Sequence, residues 1–210
     1  CCGTGTFIEA ILNKLNPTNA SKIIGFEILP APYALAHYRM IMLGEIYPKN
    51  VQIVLTNTLS DNLFVGKSTT PEGDSIGDLL LKEQQVAYTL ATPPITLIVG
   101  NPPSSDSKFQ VANEGAKIKQ LLNDFRPPSE GRTARQNTQK QLSNEFVKFL
   151  RWTADRALNS LPAIFVLILP SSFSKHPSYK YARSYLIQHF NELWILDFDN
   201  DNRTGVEDSN

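Results

Sequence analysis

The chain has 210 residues, of which 41% are hydrophobic and 19% charged, a composition that excludes a mainly disordered or fibrous protein. Its 20 basic and 20 acidic residues give no net charge, so the whole chain is not a polycation that binds nucleic acid by charge alone. The longest apolar run, residues 163–169, is far shorter than the roughly 20 residues of a membrane-spanning helix, which predicts no membrane anchor.

The first half of the chain alternates predicted helices and strands. Apolar residues recur at three- and four-residue spacing in the helical segments, and β-rich runs separate them. Helices are predicted over residues 6–15, Ala31–Ile46 and Ile76–Leu90, and strands over Ile23–Leu29, Val51–Leu55 and Ile95–Val99. The continuous apolar character of the last strand favours a sheet that is buried on both faces.

The second half begins with a long polar stretch and then returns to this alternation. Residues 102–141 are rich in Ser, Gln, Asn and Pro, which predicts a functional or disordered loop. The apolar helix face that follows consists of Phe146, Phe149, Leu150, Ala157 and Leu161. After it come a predicted strand at Ala163–Leu169, a helix that opens at Pro177 and a strand at Leu193–Phe198. The alternation predicts an α/β domain with a mainly parallel sheet.

Although the chain has no net charge, the middle of the chain contains a basic segment. Residues 108–151 hold nine basic and four acidic side chains, whereas both flanking segments carry an acidic excess. Such a segment is typical of a surface that contacts phosphates, and equally of a solvated loop and helix face.

Cysteine and histidine are too sparse to predict a metal centre. Cys1 and Cys2 are adjacent and therefore cannot join distant segments, and the three histidines are scattered. We predict no zinc site from this distribution.

A glycine pair and an acid lie where an α/β sheet binds ligands. Gly3 and Gly5 precede the first helix, where glycine allows close approach of the backbone and the helix offers free N–H groups. Glu27 lies near the end of the next strand, 24 residues after Gly3, where an acid can accept both hydroxyls of a ribose. A capping or surface glutamate is the alternative, and a nicotinamide-dependent dehydrogenase would use the same two features.

The sequence Asn101-Pro102-Pro103-Ser104 follows the predicted strand Ile95–Val99. The two prolines fix the backbone, so the Asn101 side chain and the Pro102 carbonyl can both accept hydrogens from one amino group. Two such acceptors draw the hydrogens of an aromatic amine out of the ring plane and free its lone pair for attack on a methyl sulfonium. The alternative is a proline-rich turn that ends a strand. A dehydrogenase does not account for this motif.

In their order along the chain, these motifs resemble those of the DNA adenine methyltransferases that modify the exocyclic amino group. The resemblance implies a Rossmann-like fold, mainly parallel with helices on both faces, that binds S-adenosylmethionine. The residues that match the cofactor motifs are Cys2, Gly3, Thr4, Gly5, Phe7, Glu27, Ile28, Asn57 and Leu59. Glu27 would then bind the ribose, Ile28 and Asn57 would lie near the cofactor adenine, and Asn101 and Pro102 would hold the target amino group.

Two further blocks, residues 146–152 and 169–173, look most like the large single-chain restriction-modification proteins (type ISP or IIG-like) that join a helicase-like motor to a methylase. The resemblance implies double-stranded DNA with a flipped adenine as the partner. It also implies helicase, nuclease and target-recognition domains in the same polypeptide, and a place in the cytoplasm of a prokaryote. Residues 1–200 would form the catalytic domain, with an insertion at 104–141. We further expect the strand before Cys1 to be missing and residues 201–210 to be a severed acidic loop.

One departure from the family pattern bears on activity. The catalytic motif normally ends in an aromatic residue that stacks on the flipped adenine, whereas this chain has Ser104. We expect impaired methylation, and Phe109 is the candidate substitute for the missing aromatic ring. The basic segment would contact DNA phosphates through Arg126, Arg132, Arg135 and Lys140.

Two alternatives share the catalytic motif. A protein-glutamine or RNA methyltransferase also uses an amino group as the nucleophile. A catalytically decayed methylase that serves as a DNA-binding or cofactor-binding module would explain Ser104.

Overall fold

A computed structural model describes residues 1–14, 22–43, 50–61, 76–92, 94–103, 115–126 and 142–198. Its helices are α1 (Thr6–Lys14), α2 (Pro30–Met42), α3 (Ile76–Ala91), α4 (Ala116–Leu121), α5 (Glu145–Leu158), α6 (Ser172–Lys175) and α7 (Lys180–His189). Its strands are β1 (Ile23–Glu27), β2 (Val51–Leu55), β3 (Leu97–Gly100) and β4 (Ile164–Leu167). Short 3-10 turns cover Leu122–Phe125 and Pro177–Tyr179. Within these ranges no helix is long and apolar enough to cross a membrane.

The described strands pair in parallel, which confirms the predicted α/β class. Strand β1 pairs with β2, and β3 pairs with β4, so these residues form two separate two-stranded sheets. Glu27 lies opposite Leu55 in the first sheet, and Gly100 lies opposite Leu167 in the second. Each register therefore brings the carboxyl ends of two strands to one edge, where α/β proteins bind ligands.

Helices cover both faces of the β1–β2 sheet. Because successive strand residues point to opposite faces, Val51 and Ile53 of β2 pack against α1 and α2, while Val54 packs against α3. Each of these side chains is at most 5% exposed, and burying one stabilises the fold by about 1.5–3 kcal/mol. The core thus fixes α1, and with it the glycine turn, relative to the end of β1.

The β3–β4 sheet is covered on one face by α5 and α7. Phe165 and Leu167 pack there against a buried cluster that includes Phe146 and Leu150. On the other face Ile164 is 66% exposed and Val166 is 53% exposed. Among the described residues, this face of the β3–β4 pair is therefore the more exposed one.

Two sequence predictions differ further from the structure. Residues 193–198 form no strand, and Trp194 and Phe198 are 88% and 80% exposed. The apolar pattern there predicted a strand, but no described strand lies beside these residues to form hydrogen bonds with them. Conversely, α4 forms within the polar stretch, since its two large apolar residues, Ile118 and Leu121, are both buried in the core.

Candidate functional site

The turn before α1 depends on glycine at two positions. Gly3 and Gly5 have φ angles of 55° and 82°, in the left-handed region that side chains disfavour. The turn closes when the Gly5 N–H donates to the Cys2 carbonyl at 3.0 Å. A Cβ on Gly3 would meet no described atom within 4 Å, whereas one on Gly5 would lie 3.4 Å from Ala36 Cβ. Gly3 therefore faces open space, and Gly5 allows α1 to approach α2.

Glu27 anchors this turn to the end of β1. One carboxylate oxygen accepts the Gly3 N–H at 2.8 Å, and the other accepts the N–H groups of Ile28 and Leu29 at 2.9 and 3.0 Å. The residue is 6% exposed. Two carboxylate oxygens offer about four acceptor positions. Three are used by the protein itself, so the oxygen that faces Gly3 keeps one for a ligand hydroxyl.

The first two residues lie against β1. The Cys2 N–H donates to the Phe26 carbonyl at 2.8 Å, and a Cβ on Gly25 would lie 3.1 Å from Cys2 Sγ. Burial raises the pKa of the Cys2 thiol to about 11. The thiol is therefore protonated at neutral pH and packs as an apolar group.

The loop after β2 is ordered by Asn57. Its Oδ1 accepts the Leu59 N–H at 3.0 Å, and its carbonyl accepts the Ser60 N–H at 3.1 Å. The Leu59 side chain is 3% exposed and packs against Ile118 and Trp152. A cofactor at this loop would therefore touch Asn57 and not the Leu59 side chain.

Asn101 follows β3 at the carboxyl edge of the second sheet. The ladder ends there with the Ile168 N–H donating to the Gly100 carbonyl at 3.0 Å. Pro102 is buried, which holds the backbone, while Asn101 is exposed and its side chain bonds to no residue that the structure describes. The Asn101 side chain is thus exposed directly after this strand end.

The structure brings the predicted cofactor residues together but does not join them to Asn101. The Thr56 N–H donates to the Glu27 carbonyl at 2.7 Å, which places Asn57 beside the Glu27 strand end. No hydrogen bond between described residues connects Asn101 to this group. Arg126 is half-buried. Five predicted site residues lie outside the described residues, namely Ser104, Phe109, Arg132, Arg135 and Lys140.

Sequence reasoning missed Asp61, which lies in the loop after β2 together with Asn57. Its carboxylate accepts the N–H groups of Ala116 and Lys117 at 2.8 and 2.9 Å. No local pattern signals this contact because its partners lie 55 and 56 residues further along the chain.

A surface groove of about 460 Å³ lies elsewhere. Its lining includes Lys22, Gln52 and Lys82, which lie near the amino ends of β1 and β2. The predicted site lies at the opposite edge of the sheet, at the carboxyl ends of these strands. The described residues also contain no group of three or more His, Cys, Asp or Glu side chains that could hold a metal ion.

The parallel topology and the motifs at the strand ends define a Rossmann-like methyltransferase fold. The family model described as N-6 DNA Methylase matches residues 1–151, more than half of the chain. The chain therefore belongs to the N-6 DNA methylase family, a family of DNA methyltransferases.

Three solved structures share this fold. The nuclease-deletion mutant of the Type ISP restriction-modification enzyme LlaGI, in complex with a DNA substrate mimic, is 20% identical with a TM-score of 0.64. The ATP-dependent Type ISP restriction-modification enzyme LlaBIII bound to DNA is 21% identical with a TM-score of 0.60. The DrdV–DNA complex, solved by cryo-electron microscopy, is 21% identical with a TM-score of 0.57.

The alignments cover most of this chain and a small part of each structure. They include 90%, 88% and 90% of this chain for LlaGI, LlaBIII and DrdV, but 16%, 13% and 18% of those chains. The chain thus spans less than a fifth of the length of these structures. No curated protein is detectably similar to it in sequence.

Proposed function

We propose that this chain transfers a methyl group from S-adenosylmethionine to the exocyclic amino group of adenine in double-stranded DNA. We propose further that residues 1–200 form the catalytic domain of a restriction-modification protein that carries its helicase, nuclease and target-recognition domains in the same polypeptide. The DNA-bound LlaGI and LlaBIII enzymes support this context, because each matches nearly the whole chain over a small part of its own length.

One observation carries the reaction type. Asn101 is exposed directly after β3, and the buried Pro102 behind it fixes the adjoining carbonyl. This strand end offers two acceptors and no N–H donor from either proline. Such a site suits an amino group that must give up both hydrogens to hydrogen bonds.

The residues at the first sheet fit the proposed cofactor. The open space over Gly3 admits a ligand close to the backbone, and the free acceptor position of Glu27 suits a ribose hydroxyl. Ile28 is 38% exposed and offers an apolar surface to an adenine ring, with Asn57 beside it. When bound, S-adenosylmethionine supplies an electrophilic methyl group on a positively charged sulfur.

The chain's own residues activate the nucleophile. Asn101 Oδ1 and the Pro102 carbonyl accept the two hydrogens of the adenine amino group and draw them out of the ring plane. The nitrogen lone pair is then localised and can form the new bond to the methyl carbon, while the bond from that carbon to sulfur breaks and its electron pair stays on sulfur. The surplus proton leaves to water, which reaches Asn101 freely. Positioning and hydrogen bonding supply the catalysis, and no strong base is required.

Transfer of a radiolabelled methyl group by the full-length protein tests this proposal. Double-stranded DNA, RNA and protein are offered as separate acceptors, and labelled DNA is digested to nucleosides. We expect the label in N6-methyladenine. Label in RNA or in protein glutamine would replace the proposed substrate, and no label in any acceptor would favour a decayed methylase.

We expect Ser104→Tyr to raise the rate of methyl transfer about tenfold, because stacking of a base on an aromatic ring contributes about 1–3 kcal/mol. Single-turnover methylation of DNA by the full-length protein measures the effect. The matched control is Ser105→Tyr, which adds the same ring one residue away. Equal rates for wild type and Ser104→Tyr would contradict the stacking argument.

We expect the double charge reversal Arg132→Glu, Arg135→Glu to weaken DNA binding, because both residues lie in the basic segment. Each lost phosphate contact reduces the slope of log K against log salt by about one. Titration of labelled duplex DNA at several salt concentrations measures the slope, with Arg203→Glu as a control outside the basic segment. An unchanged slope would mean that neither arginine contacts phosphate.

A further inference from the structure

Leu55 is the last residue of β2, and its N–H group points away from β1. In a parallel pair, every second residue of a strand bonds to the neighbouring strand. In β2 these are the even-numbered residues, because the Asn50 carbonyl and the Thr56 N–H both bond to β1. The N–H of Leu55 therefore faces the other side of the strand, here called the outer edge of β2.

The outer edge of β2 lies away from the first residues of the chain. The Cys2 N–H donates to the Phe26 carbonyl, and Phe26 alternates with the β1 residues that bond to β2. Cys2 therefore lies along the opposite edge of this pair of strands. Among the described residues, no strand other than β1 pairs with β2.

Glu83 of α3 closes the outer edge of β2 at Leu55. Its carboxylate accepts the Leu55 N–H at 2.9 Å, and the negative charge of the carboxylate strengthens this bond. Glu83 lies about one helical turn before Ala87 and two turns before Leu90, which both pack against Val54 of β2. The core therefore fixes α3 on the sheet, and Glu83 reaches the end of the strand from a fixed position.

The bond to Glu83 lies directly before the loop that carries Asn57. The first N–H of this loop donates to the Glu27 carbonyl at 2.7 Å, so β1 holds the loop from the inner side while Glu83 holds it from the outer side. Further along, Leu59 is 3% exposed and packs against Trp152. The place of Asn57 is thus set by the two bonds before it and by the packing of Leu59 after it.

We infer that Glu83 is a positioning residue, which sets the place of Asn57 beside the cofactor by holding the last residue of β2 from the outer edge. This inference rests on the proposed function, in which Asn57 lies near the adenine of S-adenosylmethionine. Because Glu27 and Leu59 keep their own contacts, loss of the Glu83 bond shifts the loop and does not unfold it. The loss therefore lowers cofactor affinity and spares the rate at saturating cofactor.

The test measures S-adenosylmethionine binding by calorimetric titration and methyl transfer by the full-length protein. We expect Glu83→Ala to raise the dissociation constant about three- to tenfold, the usual effect of losing one hydrogen bond, with kcat changed by less than about twofold. Alanine does not lower the helix propensity of α3. The matched control is Thr89→Ala, since Thr89 is exposed on the same helix and its hydroxyl bonds locally, to the Gln85 carbonyl.

Two conservative variants separate the bond from the charge. Glu83→Gln keeps an acceptor oxygen at the same reach and is expected to recover most of the affinity. Glu83→Asp keeps the charge but withdraws the carboxylate by one methylene, and it is expected to bind the cofactor about as weakly as Glu83→Ala.

A double-mutant cycle with Asn57→Ala separates positioning from general stability. Since Glu83 is inferred to act through Asn57, Glu83→Ala is expected to cost little further affinity once the Asn57 side chain is removed, so the two effects do not add. Amide hydrogen exchange at Leu55 tests the anchor itself, whether or not the protein methylates DNA. We expect Glu83→Ala to speed exchange there and Thr89→Ala to leave it unchanged.

Four outcomes would overturn the inference. These are unchanged cofactor affinity in Glu83→Ala, additive effects in the cycle, a fall in kcat with unchanged affinity, and loss of cooperative unfolding in both Glu83→Ala and Glu83→Asp, which would make Glu83 a stability residue. Failure of the proposed function is distinct, because the wild-type protein then binds no S-adenosylmethionine, and the inference falls with it.

Discussion

Asn101→Ala is expected to lower kcat for methyl transfer by about 100- to 1,000-fold, the usual effect of removing one preorganised hydrogen-bonding group from a reaction centre. The substitution removes one of the two acceptors that localise the lone pair of the amino nitrogen. Cofactor binding is expected to stay unchanged, because Glu27 and the glycine turn lie on the other sheet. Single-turnover methylation and calorimetric titration with S-adenosylmethionine measure the two quantities separately.

Two further variants sharpen this result. Asn101→Asp keeps an acceptor oxygen at the same place and is expected to be faster than Asn101→Ala. Asn159→Ala is the matched control, since Asn159 lies at the end of α5 and its exposed side chain bonds only locally, to the Asp155 carbonyl. Equal rates for wild type and Asn101→Ala would leave the alternative interpretation, in which the motif is a turn that ends a strand.

The position of a strand was predictable from the sequence where helices bury its apolar residues. Strand β2 was predicted with its observed bounds, because Val51, Ile53 and Val54 are all buried by helices on its two faces. The predicted strand at residues 193–198 fails because an apolar run pairs only when a neighbouring strand is present. The apolar run at residues 193–198 has the same composition as a buried strand, although its residues are exposed.

The hydrogen bonds that connect the candidate site residues were not predictable from the sequence, and the roles of those residues remain predictions. The link between Gly3 and Glu27 crosses 24 residues, and it shows that the carboxylate anchors the glycine turn. Asp61 and Arg151 were not predictable, because each bonds to residues brought close only by the folded sheets. Local periodicity contains no information on such distant polar contacts.

Glu27→Gln is expected to lower both stability and cofactor affinity. The amide of Gln offers one acceptor oxygen, so either Gly3 or the pair Ile28 and Leu29 loses its partner. Leaving a buried N–H group without a partner costs about 1–3 kcal/mol of unfolding free energy. Because the glycine turn is released as well, we expect the dissociation constant of S-adenosylmethionine to rise at least about tenfold, or about 1.4 kcal/mol.

Denaturant unfolding and calorimetric titration of Glu27→Gln decide between the two roles of this carboxylate. The matched control is Glu9→Gln on α1, where the carboxylate pairs with Arg39 at 2.9 Å and is 33% exposed, so its loss is expected to cost at most about 1 kcal/mol. A loss of stability with unchanged cofactor affinity would make Glu27 a cap alone. A loss of affinity with unchanged stability would mean that the carboxylate binds the ribose without anchoring the turn. Losses in both measurements are expected, because one buried oxygen faces Gly3 and the open space above it.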